Sequence, residues 1–115
     1  VEYVEVPNYA EGSALAYLGK GIWIKMHMFS MVAYDVLVYL DADYLVVGSL
    51  NYLFDVPVFS AAVCEGKHYR TGEFAGGLLV VHPDRNVYNQ IIESLDQSDR
   101  FLFGEHDFLN IFFAE

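Results

Sequence analysis

Basic residues, cysteine and long apolar runs are all scarce in this chain, and each shortage excludes something. Six Lys and Arg stand against 16 Asp and Glu, a formal net charge of −10. A nucleic-acid-binding face neutralises phosphates with Lys and Arg, so nucleic acid is not an expected partner. A phosphorylated small molecule stays open as a ligand where a metal bridges it to the protein. Most of the carboxylates need no role beyond solubility. Cys64 is the only cysteine, so no disulfide can close within the chain. Its apolar neighbours predict a buried structural thiol rather than a nucleophile. No run reaches the ~20 apolar residues of a membrane-spanning helix. No signal peptide is recognisable, and no Asn-x-Ser/Thr sequon occurs. The chain carries no repeat and no low-complexity segment.

What is present is apolar and aromatic. The 115 residues are 55% hydrophobic and 17% aromatic, with nine Tyr and nine Phe. That is far too apolar for a disordered chain and suits one small domain. So many aromatics in so short a chain predict elements covered on both faces. Val1 opens within a strand-like run, 1–6, and 110–115 stop inside a helical pattern. The chain therefore reads as an internal piece of a larger protein, with residues 1–115 forming part of a single domain. A loop over 7–12 and a break over 19–21 follow the first run. Ile22, Met26, Phe29 and Ala33 recur at helical spacing and predict an amphipathic helix over 22–34. Residues 36–40 are the central strand, 44–47 continue extended, and Gly48-Ser49 turns. Leu50, Leu53 and Phe54 make a short helical turn closed before Pro57. Buried strands follow at 59–63 and at 76–81, the second stopped by Pro83, with a polar loop over 65–73 between them. Val87, Ile91 and Leu95 line one side of an amphipathic helix over 84–95, and 108–113 open a last helix. Alternating helices and strands, the strands apolar throughout, predict an α/β sheet covered on both faces.

The residues with most chemical promise lie where these strands end. Asp41-Ala42-Asp43 directly follows Val36-Leu37-Val38-Tyr39-Leu40, and carboxylates at i and i+2 leave a strand on the same side. Ligands of open α/β sheets bind outside the carboxyl ends of strands. Hard divalent cations such as Mn²⁺ and Mg²⁺ prefer oxygen donors, which two carboxylates and a diphosphate supply. Asp41 and Asp43 are thus expected to converge on one cation; the plainer alternative is a solvated turn. Lys25 lies sixteen residues earlier, in the helical segment. It could reach a phosphate or a sugar hydroxyl, although most helix lysines are solvated. Glu105-His106-Asp107 follows Gly104 and precedes the apolar last helix. Such a group suits acid/base or sugar-binding work, or simply favourable charge in a first turn. His27, His68 and His82 have no metal-like mutual spacing and read as structural or exposed. Gly76-Gly77 implies a close backbone approach or a bulge.

In order along the chain stand Lys25, Tyr34-Asp35, Val38-Tyr39-Leu40-Asp41-Ala42-Asp43, Leu45-Val46-Val47, Leu50 and Leu53-Phe54-Asp55. Phe59-Ser60-Ala61-Ala62, Phe74-Ala75-Gly76-Gly77-Leu78-Leu79-Val80 and Gly104-Glu105-His106-Asp107-Phe108-Leu109-Asn110 follow. These ordered blocks, from about Ile22 onward, resemble the metal-binding core of glycosyltransferase family 8, the family of glycogenin and galactinol synthase. The resemblance implies a GT-A fold, a Rossmann-like α/β sandwich, of which this chain would hold an incomplete part of one catalytic domain. It implies transfer of a hexose from a nucleotide-diphospho-sugar, usually a UDP-sugar, with retention of anomeric configuration. The acceptor would be a carbohydrate, a polyol or a protein. Carried over, Asp41 and Asp43 hold Mn²⁺ or Mg²⁺, and Lys25 contacts the donor. Glu105 and His106 are the catalytic candidates beside the anomeric carbon. Ala42, Gly76, Gly77 and Asp107 join Lys25, Asp41 and Asp43 in the donor-binding set. The family is compatible with a homodimer and with either a cytoplasmic or a Golgi location.

Three positions depart from the family pattern. Ala75 stands where the family has Asn, so a hydrogen bond to the donor sugar is expected to be lost. His106 stands where the family has Gln and can still donate or accept. Cys64 occupies a place that is often acidic, with Glu65 beside it. The uracil-binding strand and a downstream metal-binding His are expected outside this chain. Beside an active transferase, these changes leave open an inactive family member that binds sugar nucleotide or metal as a scaffold. A different Asp-x-Asp phosphotransfer or hydrolase protein fits the block at 104–110 less well. Either transferase reading brings Glu105 and His106, some sixty residues downstream, close to Asp41 and Asp43.

Overall fold

The computed structural model describes residues 24–57, 59–63, 72–96 and 105–114. The strand and breaks expected over 1–21, most of the 65–73 loop, Cys64 and His68 lie outside the described residues. In chain order the elements are α1 (Ile24–His27), a 3₁₀ turn (Met28–Ser30), β1 (Leu37–Leu40), a 3₁₀ helix (Asn51–Asp55), β2 (Ser60–Val63), β3 (Phe74–Val81), α2 (Arg85–Asp96) and α3 (Glu105–Phe112). Mixed α/β composition is therefore as expected.

Among the described residues the sheet has three strands in the order β1-β3-β2, and both pairings are antiparallel. β3, and not the 36–40 strand expected at the centre, lies in the middle because it is the longer apolar run. Leu79, Val80 and Val81 are at most 2% exposed. β1 and β2, expected to be buried on both faces, are only half-buried, and Val63 at the end of β2 is exposed. Each flanks β3 on one side, so each is covered less. Register places Leu37 opposite Val81 and Leu40 opposite Leu78. The chain therefore leaves β1 beside the early half of β3. On the β2 side the pairing slips: Ala61 faces Leu79 but Val63 faces Phe74, two steps along β2 against five along β3. This irregular stretch contains Gly76 and Gly77, so the double glycine sits inside β3 rather than at its start.

One face of the sheet carries the core. Met26, Phe29, Leu79, Val81, Ile91, Phe108 and Leu109 form a buried cluster from α1, the 3₁₀ turn after it, β3, α2 and α3. The stripe predicted for α2 is present: Ile91 is fully buried, and Val87 and Leu95 pack against the cluster. Asp84 caps that helix, its Oδ1 accepting from the amides of Asn86 (2.7 Å) and Val87 (3.1 Å). The last helix begins at Glu105 rather than at 108, placing Phe108 and Leu109 against the sheet.

The helix expected over 22–34 is shorter than its apolar spacing implied. It tightens to 3₁₀ at Met28 and ends at Ser30. The Ser30 hydroxyl donates to the His27 carbonyl at 2.7 Å, a local bond that competes with helix propagation. Met26 and Phe29 of the predicted stripe are buried, whereas Ala33 is exposed. Phe59 adopts φ +46°, a left-handed conformation costly for a side chain of this size. Its ring stacks on Phe113 with centroids 3.8 Å apart, so aromatic packing offsets the strain.

Candidate functional site

β1 delivers Asp41 to the sheet end. The Asp41 amide donates to the Gly77 carbonyl at 2.9 Å, one last rung after Leu40, and the Asp41 carbonyl accepts from the Tyr44 amide at 3.0 Å. That second bond closes a turn through Ala42 and Asp43 and takes the chain out of the sheet. Asp41 is half-buried; Ala42 and Asp43 are exposed.

Asp41 is held from two directions. The Tyr39 hydroxyl donates to its Oδ1 at 2.7 Å. Lys25 Nζ approaches the same oxygen at 3.4 Å and lies 5.2 Å from the centre of the Tyr39 ring. Contrary to the usual habit of helix lysines, Lys25 is only 5% exposed. A buried ammonium is costly unless paired, and here α1 aims it at the first carboxylate of the Asp-x-Asp tripeptide.

The two glycines make this closeness feasible. A Cβ on Gly76 would lie 3.0 Å from Lys25 Nζ. A Cβ on Gly77 would lie 2.6 Å from Cε2 of Tyr44 and 2.7 Å from its hydroxyl. Both a close approach and an irregular strand, the two alternatives open from the sequence, are thus realised at one place.

α3 docks on the beginning of β3. The Asn110 side chain pairs with Phe74 as another strand would: its Oδ1 accepts from the Phe74 amide and its Nδ2 donates to the Phe74 carbonyl, both at 3.0 Å. Nδ2 also donates to the His106 carbonyl at 3.0 Å. The His106 ring is half-buried, 6.5 Å from the Phe74 ring centre. Phe74 and Gly77 are three residues apart on one strand, a span of ~10 Å. His106 thus packs beside Phe74 at the start of β3, three residues before the Gly77 carbonyl that the Asp41 amide meets. Asp107 is half-buried in the same first turn; the side chain of Glu105 lies outside the described residues. Next to this junction, Glu73, Phe74 and Asn110 border a cleft of about 370 Å³. A second cleft of about 250 Å³ opens on the other side of the Asp41 turn, between Leu40, Tyr44, Val47 and Tyr52.

Among the described residues no three His, Cys, Asp or Glu side chains come together as a ready-made metal cage. Asp41 and Asp43 still offer the oxygen donors that a hard cation prefers, while the Lys25 ammonium, 3.4 Å from Asp41 Oδ1, is a like charge beside one of them. His27 bonds locally to Ser30, and His82 is half-buried, away from both aspartates in sequence and element. Sequence reasoning passed over Tyr39 and Asn110 as contributors. For Tyr39 a signal existed, since it precedes Asp41 by two and so shares its side of the strand. The pairing of Asn110 with Phe74 spans 36 residues and left no local trace.

No protein-family model matches the chain. Among curated proteins it is 33% identical over 90 residues to human glycogenin-1, covering 78% of this chain and 25% of that protein. It is 30% identical over 95 residues to inositol phosphorylceramide glucuronosyltransferase 1 of Arabidopsis thaliana, covering 83% of this chain and 17% of the relative. Across its whole length it is 26% identical to galactinol synthase 2 of Arabidopsis thaliana, of which it spans 44%. The chain thus covers less than half the length of these relatives.

Proposed function

From its similarity to glycogenin-1 and to glucuronosyltransferase and galactinol synthase relatives, we propose that this chain belongs to glycosyltransferase family 8 and is part of the catalytic domain of a retaining hexosyltransferase. It takes a hexose from a nucleotide-diphospho-sugar, a UDP-sugar by preference, and passes it to a carbohydrate, polyol or protein acceptor. The observation that carries the reading is the buried Lys25 ammonium paired with Asp41 where the Asp-x-Asp turn leaves the sheet.

In this reading Asp41 and Asp43 hold Mn²⁺ or Mg²⁺, which when bound offsets the charge that develops on the departing diphosphate. Lys25 supplies a fixed positive charge beside the diphosphate, preorganised by burial. Gly76 leaves room for the Lys25 ammonium and Gly77 for the Tyr44 ring. His106, tied through Asn110 to β3, hydrogen-bonds the donor sugar and orients it together with Glu105 and Asp107.

A second reading is a family member that binds sugar nucleotide or metal without turnover. It draws on Ala75, half-buried in β3 and unable to hydrogen-bond a sugar. The full-length protein incubated with UDP-sugars and Mn²⁺ separates the two. Release of UDP or transfer of the sugar, lost on adding EDTA, supports the transferase. Calorimetric binding of UDP-sugar without turnover supports the scaffold, and neither binding nor turnover overturns both.

A further inference from the structure

We propose that Tyr39 is a positioning residue for the Asp-x-Asp pair: its hydroxyl fixes one oxygen of Asp41 and so orients that carboxylate for a divalent cation.

Tyr39 and Asp41 stand at i and i+2 where β1 ends, so both side chains leave on one side of the strand. At 2.7 Å the hydroxyl-to-carboxylate bond is in the range of short, charge-assisted hydrogen bonds. An aspartate on an exposed turn rotates freely about two side-chain torsions. Here one oxygen is claimed by the Tyr39 hydroxyl and flanked by the Lys25 ammonium at 3.4 Å. Tyr39 also contributes to the lysine's placement, with Nζ 5.2 Å from its ring centre. Gly76 leaves that ammonium its room. Rotational freedom is thus removed from Asp41 ahead of any ligand, which is how preorganisation strengthens binding.

The two neighbours of Oδ1 have opposite consequences for a second cation. The hydroxyl orients the carboxylate and carries no net charge. The ammonium is a like charge, and within a few ångströms it opposes a dication at the same group. Deleting the hydroxyl should therefore weaken metal binding, whereas deleting the ammonium should not.

The inference rests on the metal role of Asp41 and Asp43 proposed above, and one titration distinguishes the two. Mn²⁺ alone is titrated into full-length wild type, Tyr39→Phe and Lys25→Met, with free Mn²⁺ counted by electron paramagnetic resonance and folding checked by circular dichroism melting. The expected result is a Kd raised roughly 10- to 100-fold in Tyr39→Phe, the factor lost with a hydrogen bond to a charged group. Lys25→Met should bind Mn²⁺ as tightly as wild type or more so. Equal Kd values for wild type and Tyr39→Phe overturn the inference and leave the metal reading intact. Wild type that takes up no Mn²⁺ overturns both. If Tyr39→Phe loses the native melting transition, Lys25→Met decides. Weaker Mn²⁺ binding in that variant assigns the positioning to the lysine and overturns the role of Tyr39.

Discussion

Asp43 and Gly77 test the site by opposite kinds of change. Asp43 is exposed on the turn, so Asp43→Asn removes a charge while disturbing little packing. If Asp43 is a ligand of the catalytic cation, the full-length variant should keep its melting temperature and lose Mn²⁺-dependent transfer by at least ~100-fold, the worth of a few kcal/mol of charge stabilisation. Turnover at the wild-type rate would remove the metal role. Gly77 is buried under Tyr44, and Gly77→Ala adds a Cβ 2.6 Å from a ring carbon. Tyr44 must move or β3 must shift, at a cost of about 1–3 kcal/mol. Denaturant unfolding of the full-length protein measures that cost. A companion Gly77→Ala/Tyr44→Ala variant should recover part of it, and no recovery would show that the clash is not the cause.

The elements that could be read from the sequence are those whose signals are local. α2 was legible because Val87, Ile91 and Leu95 recur every four residues. β3 was legible as a long apolar run bounded by Pro83. The helix after Ile22 was overextended because apolar spacing does not register the Ser30 hydroxyl bonding the His27 carbonyl. Burial of β1 and β2 was overestimated, because coverage depends on neighbours that the strands' own composition does not encode. Of the candidate site, the Asp-x-Asp turn was legible, and the family resemblance pointed to Lys25 and the start of α3. The Lys25–Asp41 pair and the Asn110–Phe74 pair were not legible from residue types, since each is made only by folding. The second pair gives a test at the α3–β3 junction. Asn110→Ala leaves the partly buried amide and carbonyl of Phe74 without that side chain. Unfolding free energy should fall by about 1–3 kcal/mol. Asn110→Asp restores only the acceptor and should fall in between; if both variants are as stable as wild type, α3 is held by its apolar face alone.

Among the described residues, the core is finished and the segment after Asp41 is not. The core side is closed by Phe108, Leu109, Ile91 and Met26, none more than 1% exposed. The segment after Asp41 presents Leu45 at 85% and Val47 at 90% exposure, with Val46, Tyr52 and Phe54 each at least half exposed, and Val63 at the end of β2 is exposed too. Scattered apolar residues on a surface are ordinary, but a contiguous patch marks a surface made to be covered. Among the described residues β1 and β2 are the outer strands of the sheet, and both are short and apolar, the kind of edge that invites pairing with another chain. The chain also spans only 17% to 44% of the three relatives compared. Expressed alone, the 115 residues should therefore self-associate and lack a sharp cooperative melt, because a domain this small buries a modest share of its surface and stability is only ~5–15 kcal/mol even for intact domains. Light scattering after size-exclusion chromatography and a thermal scan decide the matter. Oligomers or aggregates with a broad transition are expected, and Leu45→Lys/Val47→Lys should reduce association by placing charge on the patch. A soluble monomer with one cooperative transition would show that the exposed apolar segment needs no cover and that these residues fold as a self-sufficient unit.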